Sequence, residues 1–122
     1  ERRARIAALF GEALAALPLK LPPDAPAGEQ HAWHLYVIRL ADGIDRNRFI
    51  ERLFGAGIGC SVHYIPLHLH PYWRERYGLD AAQFPHSQHA YERMLSLPLY
   101  TKMSEADIER VIAAVRQLLL QG

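Results

Sequence analysis

Apolar residues recur near the start of the chain at spacings of three and four, through Ile6, Leu9, Phe10, Ala13, Leu14 and Leu17. That spacing gathers them on one side of a helix, so the pattern predicts an amphipathic helix from Arg2 to about Leu17, stopped by Pro18. From Leu19 to Gln30 the periodicity disappears, and Pro22, Pro23, Pro26 and Gly28 make the stretch read as an irregular connector, not a second element. His31 to Leu40, HAWHLYVIRL, is short and rich in aromatic and β-branched residues, which predicts a first strand buried on at least one face.

The next segments alternate in the same way. Asp42-Gly43 turns the chain, Asp45 is placed to cap a helix, and Phe49, Ile50, Leu53 and Phe54 give that helix an apolar stripe that ends at Gly55 to Gly57. Ile58 to Ile65 is predicted to be a second strand, with Ile58, Cys60, Val62 and Tyr64 on one face and Gly59, Ser61, His63 and Ile65 on the other. Pro66 to Gly78 reads as a loop with one short helical turn around Trp73 to Tyr77, and Phe84-Pro85 opens a helix that runs to about Met94. Leu95 to Tyr100 forms a short third strand, which Pro98 confines to an edge or a strand end because it has no N–H for a ladder. Ser104 with Asp107 three residues on caps a final helix whose core face is Ile108, Val111, Ile112, Val115, Leu118 and Leu119. This alternation leaves parallel and antiparallel sheets both open.

The chain has 122 residues, about the size of one domain. Half of them are hydrophobic and 22% charged, a globular balance and not a disordered one. A net charge of +1, with twelve arginines spread among carboxylates, gives no electrostatic case for nucleic acid. Cys60 is the only cysteine, so neither an internal disulfide nor a thiolate zinc site can form, which fits a reducing, cytoplasmic setting. No stretch approaches the ~20 apolar residues of a membrane span. The opening ERRARIAALF reads as helix and not as a signal peptide, and with no cap before it the chain is expected to be a piece of something longer.

Candidate chemistry concentrates in Gly57 to Tyr72, where His63, His68 and His70 fall within eight residues. Imidazoles suit zinc, copper or nickel, but no carboxylate or thiolate stands beside them in the loop, which argues against a metal site. Cys60 reads as a small core residue, with no neighbouring cation to activate it as a nucleophile. Gly55, Gly57 and Gly59 end a helix and start a strand, the reverse of the order that aims N–H groups at a phosphate. Tyr64, Tyr72, Trp73, Tyr77 and Phe84 either close the core over the loop, which is the favoured reading, or form a stacking surface for a sugar or base. Arg74 and Arg76 are separated by Glu75, which weakens any anion site there.

Taken together, HAWHLYVIRL, IDRNRFIERLFGAGIG, SVHYIPLHLHPYWRERYG and FPHSQHAYERMLSLPLY resemble the C-terminal small domain of the DegT/DnrJ/StrS sugar aminotransferases, over almost the whole chain. The most specific parts are the GIG-x-x-VHY-x-PLH segment and the LSLPLY-x-x-MSEADIERV ending, and the variant looks closest to the 4-amino-4-deoxy-arabinose and related amino-sugar branches of polysaccharide or lipopolysaccharide biosynthesis. The resemblance implies an α+β fold with a small, mainly antiparallel three-stranded sheet covered by helices. Residues 1–122 then form a single small domain: 1–17 a helix leading from a large domain, 18–30 a connector and 31–122 the core. It also implies that the full-length protein is a dimeric pyridoxal-phosphate enzyme that aminates a keto group on a nucleotide sugar, with glutamate as donor. The aldimine lysine, the pyridinium-binding aspartate and the phosphate cradle belong to the large domain, and neither Lys20 nor Lys102 matches that lysine. This piece alone is therefore expected to be inactive, with no cofactor bound and no catalytic residue of its own. His63 matches the VHY histidine and is expected to face the sugar, with Tyr64 and His68 lining the same cleft. The competing reading is a free-standing sugar- or protein-binding module of the same fold.

Overall fold

The computed structural model describes residues 1–121. Helix α1 spans Arg2–Leu14 and buries Ile6, Ala7, Phe10 and Leu14. It stops three residues short of the predicted end because the residue before a proline is pushed out of the helical region, and the last turn unwinds ahead of Pro18. Leu17 stays buried, its N–H donating to the Leu14 carbonyl at 3.0 Å.

The connector does not begin as irregular chain. Leu19–Lys20 form strand β1, paired antiparallel with Leu40 and Arg39, and the Ala41 N–H donates to the Pro18 carbonyl at 2.9 Å. Two residues carry no readable periodicity, and their pairing is set by a strand twenty positions away. Strand β2 is Tyr36–Leu40, only the second half of the predicted run. Trp33 sits at φ 48, and its N–H donates to His31 Nδ1 at 2.9 Å while the two rings stack at 3.9 Å. That local side-chain bond takes the backbone away from a ladder.

Helix α2, Arg46–Gly55, is capped as expected, the Arg48 N–H donating to Asp45 Oδ1 at 3.0 Å. Phe49 and Leu53 are buried, but Phe54 falls outside the stripe and is 57% exposed. Past a 3₁₀ turn at Leu67–Leu69 comes helix α3, Pro71–Tyr77, longer than the single turn predicted. Helix α4 follows at Pro85–Arg93, strand β3 at Met94–Leu97 and helix α5 at Glu105–Leu120. Ser104 and Asp107 make a reciprocal capping box at the start of α5, whose Ile108, Val111 and Val115 enter the core.

The sheet order is β1-β2-β3, antiparallel throughout, with Tyr36 opposite Leu97 and Ile38 opposite Leu95. This is the three-stranded antiparallel sheet that the resemblance implies, although its first strand is Leu19–Lys20. The predicted strand Ile58 to Ile65 is absent: only Ser61 pairs, in one antiparallel bridge to Ser96. The reason lies in β3. On the Gly59 side the next rung would need an N–H from Pro98, which has none; on the His63 side it would need Met94, whose N–H donates to the Ala90 carbonyl and whose carbonyl accepts from Arg46, so the ladder ends after a single step. Tyr36, Ile38, Leu40, Leu95 and Leu97 alternate onto one face and join α1, α2 and α5 in the hydrophobic core. Val37, Arg39 and Ser96 alternate onto the opposite face.

Candidate functional site

The segment after α2 crosses the outer edge of β3 at the Ser61 rung, where the Ser61 N–H donates to the Ser96 carbonyl at 3.2 Å and the Ser96 N–H to the Ser61 carbonyl at 2.7 Å. Two residues later His63 meets the same serine from the side-chain direction. Its Nδ1 lies 2.9 Å from Ser96 Oγ, and Ser96 is buried. A hydroxyl both donates and accepts, so Ser96 can hold either neutral tautomer of His63 and leave Nε2 to act as donor or acceptor in turn. Tyr64 packs edge-on against the His63 ring at 4.8 Å and is otherwise 76% exposed. The His63–Tyr64 peptide is cis.

His68 is placed differently from this pair. It is 4% exposed, stacked on Phe84 at 5.0 Å, with Nε2 2.8 Å from Gln88 Oε1. Gln88 in turn donates from Nε2 to Glu92 Oε1 at 2.8 Å, which fixes its amide orientation and requires the proton of His68 to sit on Nε2. His70 Nε2 donates to the Ile65 carbonyl at 3.0 Å. Each of the three imidazoles thus has its own partner. Among the described residues no group of three or more His, Cys, Asp or Glu side chains is arranged to hold a metal ion.

The aromatic residues of the loop do not close the core. Tyr72 and Tyr77 are 63% and 59% exposed, α3 buries no side chain, and Trp73 stacks on Tyr77 at 5.7 Å on the surface. Ile65 and Leu67 are exposed beside them. The packing reading fails because α3 lies outside the layer that α1, α2 and α5 make with the sheet. Cys60 is half-buried against the core, and burial pushes its thiol up, as befits a packing residue and not a nucleophile. Ser96 and Gln88 were missed from sequence. The signal for Ser96 was a lone polar residue inside the apolar run Met94–Leu97, and for Gln88 the four-residue spacing to Glu92.

An antiparallel three-stranded sheet with helices over its core face is the architecture of the C-terminal domain in fold-type I aminotransferases. The aminotransferase TlmJ from Streptoalloteichus hindustanus shares it at a TM-score of 0.86 and 32% identity, over 98% of this chain and 31% of that one. The pyridoxal-phosphate form of Spr1654 from Streptococcus pneumoniae shares it at 0.89 and 27%, again over 98% of this chain and 31% of that one. The sequence matches the DegT/DnrJ/EryC1/StrS aminotransferase family over residues 1–116, and the chain belongs to that family. The spore coat polysaccharide biosynthesis protein SpsC of Bacillus subtilis is 40% identical over 98% of the chain. The chain spans about a third of the length of such relatives.

Proposed function

We propose that this chain is the small, C-terminal domain of an enzyme that aminates a keto group on a nucleotide-linked sugar, with glutamate as amino donor. The observation that carries the reading is His63, held by buried Ser96 at the sheet edge with its other ring nitrogen left for a ligand. His63 and Tyr64 line the sugar side of the cleft. His68 supports their loop from beneath through Phe84 and Gln88.

The residues of this chain do not by themselves fit pyridoxal phosphate. Lys20 is exposed on β1 and Lys102 is exposed in the turn before α5, and among the described residues neither has a carboxylate within 4.0 Å. An amine poised for imine formation is held in a desolvated pocket, and both of these lysines are exposed. The cofactor is therefore held by a larger domain of the same polypeptide, and the enzyme works as a dimer in the cytoplasm. The exposed Tyr64, Ile65, Leu67 and Tyr72 favour such a partner domain over a free-standing module, which would leave them in water.

Two measurements test this. The full-length protein with pyridoxal phosphate should show an absorbance band that glutamate discharges and a keto-sugar nucleotide restores, while this chain alone shows none. A donor-sensitive band from this chain alone would overturn the division of labour. In the full-length enzyme His63→Ala should lower kcat/KM by about 5- to 150-fold, the loss of one hydrogen bond of about 1–3 kcal/mol to substrate. Unchanged kinetics would remove His63 from the site.

A further inference from the structure

Where β1 meets β2, the sheet places two cations face to face. Lys20 stands directly opposite Arg39 in the antiparallel register, and Arg39 is in turn opposite Met94, the residue that follows Arg93. Like charges at directly opposed positions destabilise a strand pair. Among the described residues neither Lys20 nor Arg39 has a carboxylate within 4.0 Å. The one acid nearby is Asp42, itself on the exposed rim and already engaged by Arg93 Nη1 and, at 3.4 Å, by His89 Nε2. Arg93 is left with a buried Nη2 that has no hydrogen-bond partner.

These groups are not scattered over a convex surface. Lys20, Arg39, His89 and Arg93 line a cavity of about 480 Å³ whose remaining wall includes Leu17 and Leu19. That volume is in the range of small-molecule sites. Three fixed cations against one carboxylate leave a surplus of two positive charges, and guanidinium forks match phosphate oxygens in geometry as well as charge. His63, Tyr64 and His68 are not among the residues that line it. We infer that this cavity is a binding site for a phosphoryl dianion, with Arg39 and Lys20 as its donors and Arg93 adding positive charge to its wall. The dianion is either free phosphate or the phosphate of a small ester whose organic part rests on the leucine wall.

The test is calorimetric titration of the full-length protein, in phosphate-free buffer of moderate ionic strength, with inorganic phosphate and with glucose 1-phosphate. At least one should bind, more weakly as salt is raised. The double variant Lys20→Gln/Arg39→Gln should lose about tenfold or more in affinity, whereas Arg110→Gln, on α5, should not. Equal affinity for the two probes identifies free phosphate as the sufficient ligand; tighter glucose 1-phosphate shows that the organic part is read. Lys20→Glu supplies the missing carboxylate from within, so it should raise the unfolding midpoint in phosphate-free buffer while abolishing binding. No binding of either probe, or binding that survives Lys20→Glu, overturns the site. None of these readouts depends on transamination, so they succeed or fail apart from the aminotransferase reading.

Discussion

On one face of the sheet Tyr36, Ile38, Leu40, Leu95 and Leu97 are all at most 3% exposed, while on the other the corresponding positions are Val37, Arg39, Lys20 and Ser96. The first face is closed by helices of the same chain and needs nothing more. The second holds an imidazole through Ser96 at one end and a cationic cavity at the other. The pleat thus separates a closed apolar face from the face on which both proposed sites lie, one residue apart along each strand.

The sharpest way to break that division is to truncate neighbours that differ only in the face they occupy. Ile38→Ala should cost about 2–5 kcal/mol in denaturant unfolding, whereas Val37→Ala, half-buried on the opposite face, should cost about 1 kcal/mol or less. Equal losses would mean that both faces are core. A second test uses pH. Burial, with a further push from the Asp24 carboxylate, raises the Tyr36 phenol to about 12. The folded chain therefore keeps a proton that the unfolded chain releases near its ordinary value of about 10, a contribution of about 2–3 kcal/mol that is whole below pH 10 and lost as pH rises toward 12. Tyr36→Phe should flatten that alkaline slope, and an unchanged slope would place its origin elsewhere. A comparably small effect is expected from Ser96→Ala, about 1 kcal/mol of stability, from the hydrogen bond to His63. In the full-length enzyme it should lower kcat/KM less than His63→Ala does. A fall as large as that of His63→Ala would give the serine a contact of its own with substrate.

What could be read from the sequence follows the same line. The aromatic and β-branched run that ends at Leu40, the caps at Asp45 and Ser104 and the start of α4 at Pro85 are local signals, and each is followed by its element, although β2 takes up only the second half of its run. β1 was invisible because two residues have no period, and Ile58 to Ile65 misled because alternation reports a sidedness that a strand and an extended arm share. Five of the ten residues of HAWHLYVIRL stayed out of β2 for want of a neighbour to pair with, which a propensity scale cannot know. Of the proposed site, His63 was named from sequence through its motif, but the serine that bonds it lies 33 positions away and was readable only as an oddity in an apolar run.

The single rung between Ser61 and Ser96 sets how the arm bearing His63 comes loose. A strand peels from its neighbour by breaking a ladder; this segment is latched by two backbone bonds, and among the described residues the amides of Val62 and Tyr64 donate to no backbone carbonyl. In hydrogen exchange the arm should register as slow amides at Ser61 and Ser96 flanked by fast ones. When the latch opens, the imidazole swings with it, so the reach of His63 is governed by a pivot and not by the stiffness of a sheet.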